Sequence, residues 1–197
     1  KELYYICGLP PQYVTALNKI LWVKNNMPDV YAKTKKILFT EDLFHHKLGL
    51  TDLKLNYPIC STTLFFDIRE KKFSKKILNE FDIDENLFSE PCPSGVGIGY
   101  IRDDIAESLG FKGKVSIVTG GHDQQCAALG VGAISGGIAC DGVGTVECIT
   151  TVLDELIISD AMFENDFSTR AHVIDGQYTS FAYNLTAGSV LKWYRDV

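Results

Sequence analysis

One run limits what this chain can fold into: Val115-Ser116-Ile117-Val118-Thr119-Gly120-Gly121-His122-Asp123-Gln124-Gln125-Cys126-Ala127-Ala128-Leu129-Gly130. Val115 to Val118 is a short, largely β-branched stretch suited to a buried strand. Gly120-Gly121 lets the backbone turn sharply with no Cβ in the way. Cys126 to Leu129 then predicts a helix of small side chains that can pack closely on a sheet. Strand, glycine turn and helix in this order indicate an α/β fold. Asp123 falls in the first turn of the helix, at the carboxyl end of the strand, where open α/β sheets place their ligands. It reads either as a general base, with Gln124 as its hydrogen-bonding neighbour, or as a helix N-cap. The glycines strip side chains from the mouth of the site, and His-Asp-Gln-Gln is more polar than a helix start needs. Both features favour the base.

At 197 residues the chain has room for one large domain or two small lobes. Its net charge of −6 and the lack of a Lys/Arg cluster argue against a nucleic-acid surface. Lys71-Lys72 and Lys75-Lys76 read as the solvated face of a helix. No apolar run approaches a membrane span, and no signal-peptide pattern is seen. The six cysteines are scattered, without a C-x-x-C pair, which predicts reduced thiols, no structural zinc and a cytoplasmic setting. The chain starts at Lys1 and stops at Val197 within a helix that has barely begun. On that ground it is expected to be part of a longer protein and inactive as an isolated piece.

The pattern along the chain predicts an amphipathic helix from Val14 to Asn25, a short helix from Pro28 and a strand at Lys36–Phe39. Thr40-Glu41-Asp42 reads as the cap of the next helix. On that helix His45 and His46 point about 100° apart and cannot share a metal as an i,i+4 pair would. Gly95–Tyr100 lacks phosphate-loop spacing and reads as a glycine-softened strand. Arg102–Leu109 reads as a helix stopped by Gly110. Ile138–Thr150 predicts two strands hinged at Gly142 and Gly144, with a tip that exposes backbone N–H groups and a hydroxyl. Asp175-Gly176 signals a two-residue hairpin turn. Thr186-Ala187-Gly188-Ser189 opens a last helix, another anion-friendly start.

Asp123-Gln124, Gly144-Thr145 and Gly188 with Ser189 thus share one character. A carboxylate base with two glycine-lined anion sites suits transfer of a phosphoryl group to a hydroxyl, a reaction that needs mainly positioning and electrostatics. Gly120-Gly121-His122-Asp123-Gln124 resembles the G-G-x-D-Q/N motif of the FGGY carbohydrate kinase family, which includes xylulokinase, gluconokinase, fuculokinase and glycerol kinase. Gly144-Thr145 resembles its G-T turn, and Ala187-Gly188-Ser189 with Trp193 its A-G-x helix start. Upstream, Lys19-Ile20-Leu21-Trp22, Pro28-Asp29-Val30-Tyr31, Ile37–Asp42 and Ser61–Ile68 follow family patterns in order. Asn56 stands where many members have Asp, and Thr40 replaces the usual proline.

The resemblance implies an actin-like, ribonuclease-H-like α/β fold of two lobes around an ATP cleft, present in part. Residues 1–136 would be the later part of the N-terminal sugar-binding lobe, and residues 137–197 the start of the C-terminal nucleotide-binding lobe. It implies ATP and Mg2+, a sugar or polyol acceptor, and room for a homodimer of the longer protein. Asp123 would be the catalytic base and, with Gln124, bind substrate. Gly144, Thr145 and Gly188 would hold nucleotide phosphate, with no resident protein metal site. Two other functions compete. A non-catalytic sugar-binding or regulatory protein on the same scaffold would have no use for the base. A metal-dependent hydrolase using His122, Asp123 and His172 would need better chelate spacing.

Overall fold

The computed structural model describes residues 1–144 and 146–197, and short helices alternate with paired strands along them. In chain order they are α1 (Glu2–Cys7), α2 (Ala16–Asn26), α3 (Pro28–Lys33), α4 (Thr40–Lys47), β1 (Lys54–Asn56) and α5 (Tyr57–Cys60). Next come β2 (Phe66–Asp67), β3 (Lys72–Phe73), α6 (Lys75–Glu80), a 3-10 turn at Glu85–Leu87, β4 (Glu90–Cys92) and β5 (Gly97–Tyr100). The order continues with α7 (Asp103–Ser108), β6 (Ser116–Val118), α8 (Asp123–Gly130), β7 (Ala139–Val143) and β8 (Glu147–Leu153). It closes with α9 (Asp160–Glu164), β9 (Ser168–Ala171), β10 (Tyr178–Asn184) and α10 (Gly188–Asp196).

Local chemistry accounts for many of the starts. Asn56 Oδ1 accepts the Ile59 N–H at 2.9 Å and Ser74 Oγ accepts that of Ile77, capping α5 and α6. Ser159 does the same for α9 through the Met162 N–H. Pro28 stands at the first position of α3, where its missing N–H costs nothing.

Two apolar centres form the first part of the molecule. Phe65, Phe66, Phe73 and Phe88 pack together with Leu17, Leu55 and Leu78, and the rings of Phe65 and Phe88 lie 4.8 Å apart. A smaller cluster joins Leu50, Ile101, Ala106 and Ile117. Beyond it, β7-β8-β10-β9 form a four-stranded antiparallel sheet. On this side Ala128 of α8 packs with Ala133 and Val152. Gly8, at φ +68°, joins the two parts: its N–H closes α1 on Tyr4, and its carbonyl accepts the Thr169 N–H of β9 at 2.7 Å.

Some expectations need correction. Lys36–Phe39 is not a strand. Ile37 N–H donates to the Leu87 carbonyl at 2.8 Å, but Leu87 ends a 3-10 turn, so no strand among the described residues lies alongside to continue a ladder. Thr40 is the first residue of α4 rather than its cap; Phe39 holds that position and makes no side-chain cap bond. Gly142 lies inside β7, opposite Cys148, rather than at a hinge. The β9–β10 turn is longer than the two residues predicted. His172 N–H bonds the Gln177 carbonyl at 3.0 Å and closes a loop over residues 173–176.

Candidate functional site

The strand and helix of the organising run are β6 and α8, and polar contacts fix the turn between them. Thr119 is buried; its hydroxyl donates to the Pro93 carbonyl at 2.8 Å and accepts the Val96 N–H at 3.0 Å. Gly120 N–H donates to Glu41 Oε1 at 2.7 Å. The other oxygen of Glu41 accepts from the backbone and side-chain nitrogens of Asn56. One carboxylate on α4 therefore ties the turn to β1. Gly121 is required by close approach, because a Cβ there would overlap Val173 and lie 3.0 Å from Cys126 Sγ.

Helix α8 has His122 at its N-cap position, and Asp123 is its first residue. Asp123 keeps 86% of its side chain in solvent. Its Oδ1 accepts the Gln124 N–H at 2.8 Å and lies 3.0 Å from His122 Nδ1. His122 Nδ1 also stands 3.4 Å from the Gln124 N–H. With its proton on Nδ1 the imidazole donates to Asp123; with it on Nε2, Nδ1 accepts from Gln124. Burial, aided by the nearby Arg170 guanidinium, holds the His122 pKa below the usual histidine range, against the pull of Asp123. Gln125 faces inward, fully buried, and donates to the Ala171 carbonyl of β9.

Gln124 lies beside β7: a Cβ on Gly142 would sit 3.5 Å from Gln124 Oε1. The β7–β8 hairpin carries Gly144, and Thr145 lies outside the described residues. Gly144 meets the start of α10 directly. Its carbonyl accepts the Gly188 N–H at 2.9 Å, and a Cβ on Gly188 would come to 2.8 Å from that oxygen. The two glycine turns, forty-odd residues apart in the chain, thus touch with their backbones. Burial raises the Cys148 thiol pKa, and the nearby Asp123 charge adds to the rise.

Two residues that sequence reasoning passed over matter here. Glu41 reads from sequence as an ordinary acidic residue in a helix first turn, yet it holds the Gly120 turn. Arg170 gives no sequence signal at all. It lines a cleft of about 440 Å³ together with His122, Lys19, Thr15, Gln12 and Thr62. His172, by contrast, is buried and does not share a metal with His122 and Asp123: the described residues contain no group of three or more His, Cys, Asp or Glu side chains able to hold an ion. The hydrolase expectation therefore lacks its ligand set. No described helix is long and apolar enough to cross a membrane.

Comparison with known proteins adds a lineage to this geometry. Residues 1–130 match the model described as "FGGY family of carbohydrate kinases, N-terminal domain". The chain is 30% identical over 181 residues to a xylulose kinase of Lactococcus lactis, covering 91% of this chain and 35% of that protein. Among solved structures it resembles a ligand-bound xylulose kinase from Lactobacillus acidophilus, with a TM-score of 0.90 and 20% identity over 98% of this chain and 39% of the other. A gluconate kinase from the same organism gives a TM-score of 0.90 at 20% identity, over 98% of this chain and 38% of the other. The fold is accordingly part of the actin-like α/β fold that the sequence suggested. The chain spans about a third of the length of the curated relatives it matches.

Proposed function

The chain belongs to the FGGY family of carbohydrate kinases, and from that premise we propose that the whole protein transfers the γ-phosphate of ATP to a hydroxyl of a ketose or polyol, with Asp123 as general base. The observation that carries this reading is the Asp123 carboxylate itself, solvent-accessible and oriented by its neighbours at the mouth of a glycine turn. A general base must reach the proton it removes. Burial would deny that access; here the Gln124 N–H and His122 Nδ1 steady one carboxylate oxygen and leave the other free to accept the hydroxyl proton. Gln124, beside β7, would hydrogen-bond the acceptor and align that hydroxyl.

The contact between Gly144 and Gly188 is the natural place for nucleotide phosphate. The Gly188 N–H is already bonded to Gly144, and those of Val190 and Leu191 to Ala187, so Gly188 would serve through its missing side chain and the close approach this allows, leaving the Ser189 N–H for the anion. Thr145 would add its hydroxyl. ATP therefore fits the residues present. Mg2+ would be held mainly by phosphate oxygens and water, as this ion usually is at kinase sites, and no step is assigned to it. We place residues 1–136 in the sugar-binding lobe and residues 137–197 in the nucleotide-binding lobe. Gly136 and Gly137 fall between α8 and β7, where the chain would pass from one to the other.

In the full-length protein, Asp123→Asn should lower turnover about 10²- to 10⁴-fold, as loss of a positioned base does. Acceptor affinity and melting temperature should stay unchanged. The measurement is coupled ADP release against a panel of pentuloses, hexuloses and polyols, with acceptor binding followed calorimetrically. Unchanged turnover in the variant would remove the base from Asp123 and favour a binding protein on a kinase scaffold.

A further inference from the structure

His122 stands beside the base, and one nitrogen of its ring meets two groups of opposite kind. Nδ1 lies 3.0 Å from Asp123 Oδ1 and 3.4 Å from the Gln124 nitrogen. The Gln124 N–H is already committed to Asp123 Oδ1 at 2.8 Å. Accepting from it would give Nδ1 only a long, second share of a used donor. Donating to the carboxylate gives a bond of ordinary length to a charged acceptor, about twice as strong as a neutral one. The proton of the neutral ring therefore belongs on Nδ1, directed at the base.

The groups around the ring make its charge adjustable. Its side chain is 29% exposed. Burial and the Arg170 guanidinium of β9 oppose a second proton, while Asp123 and Gln125 on its own helix favour one. Lys19 of α2 is a second cation in the cleft that His122 and Arg170 share. Cys148 of β8, near both Asp123 and Arg170, is kept neutral by burial. Gln125 is fully buried, and its amide oxygen, sealed from solvent, can accept the second N–H that the ring gains on protonation. The ring is thus neutral at pH 7 and gains its charge in mild acid. Once charged, it turns a hydrogen bond to Asp123 into an ion pair. That pair stabilises the ionised carboxylate and so weakens it as acceptor of the hydroxyl proton.

We propose that His122 is a positioning residue that sets the strength of the base: its neutral Nδ1–H form aims Asp123 for proton transfer, and its imidazolium form holds the carboxylate in an ion pair and suppresses the reaction in acid. In the productive state the O–H bond of the acceptor breaks and its proton passes to the free oxygen of Asp123. The new O–P bond forms, and ADP leaves with the electron pair of the old one. His122 keeps its own proton throughout. This assignment rests on the kinase reading above and adds control by pH to the same site.

The test uses the full-length protein and follows kcat/KM for the best acceptor of the panel from pH 5 to 8.5, because this ratio reports ionisations of the free enzyme. His122→Asn keeps an N–H donor near the position of Nδ1 but cannot titrate, and Asn also suits a helix N-cap. The ratio of wild type to this variant should fall at least about threefold between pH 8 and pH 5, as charge on the ring weakens the base. Ionisation of the nucleotide is common to both proteins and cancels in that ratio. His122→Ala, which offers no donor, should lose about tenfold in kcat at pH 8 with acceptor KM unchanged, as a misdirected catalytic group does. In protein labelled with 15N-histidine, the ring signal that disappears in His122→Asn should report the neutral proton on Nδ1. A ratio constant with pH overturns the proposal, and so does a proton on Nε2 or full activity in His122→Ala. Absence of ADP release with every acceptor overturns the kinase reading instead; the position of the ring proton, which needs no turnover, still tests the bond to Asp123.

Discussion

Phe65 and Phe66 are fully enclosed, and so is Leu55 of the same cluster, whereas Asp123 leaves most of its side chain in water and no residue of α10 is buried. The aromatic core is held by area removed from solvent and by ring-to-ring packing. The glycine-lined site is held by hydrogen bonds that reach across the chain: Glu41 to Gly120, Gly188 to Gly144, Gln125 to Ala171. The difference teaches where each kind of force can be used. A group that must accept a proton or admit a phosphate cannot be packed over, so its position is set by polar contacts to the backbone around it.

That contrast can be broken at either end. Phe65→Ala should show the largest effect on stability, about 3–5 kcal/mol as for other buried aromatic truncations, read by denaturant unfolding. In the same assay Asp123→Asn should stay within about 0.5 kcal/mol, as surface changes do. A reversed order would mean that the site, and not the aromatic cluster, carries the fold.

Glu41→Ala probes the border between the two regions. It strips the acceptor from Gly120 and from both nitrogens of Asn56. A loss of about 1–3 kcal/mol is expected, together with lower turnover in the full-length protein, because the turn that presents Asp123 is no longer tied to α4. Stability lost without any change in turnover would make Glu41 purely structural.

The smallest effect is one of pH. Burial lowers the pKa of both His122 and His172 from the ordinary value of 6.5. The unfolded chain then takes up these protons before the folded one does. Stability from these groups is complete above pH 6.5 and declines as pH falls below it toward the folded-state values. Urea unfolding across pH 5 to 7.5 should show this decline, and His172→Gln should flatten it. A curve that rises on acidification would contradict the assignment.

Much of the local architecture was legible without coordinates. The β6–α8 run, α2, α3 and α7 and the strand at Gly97–Tyr100 all follow from periodicity and end chemistry. Lys36–Phe39 was misread because an apolar β-prone run becomes a strand only if another strand lies beside it. The cap of α4 was misplaced by one residue, because a single backbone angle decides which residue is still outside the helix.

By itself the sequence determined the order of elements, the turn that sets Asp123 at a helix start, and the membership of a phosphotransferase family. Those rest on near neighbours, whose spacing along the chain fixes their spacing in space. Only the tertiary structure decided that Glu41 holds a glycine 79 positions away, that Gly144 and Gly188 share a hydrogen bond, and that Arg170 stands with His122 in one cleft. Contacts of that kind depend on how the chain closes its long loops, and no local pattern records which distant residues closure brings together.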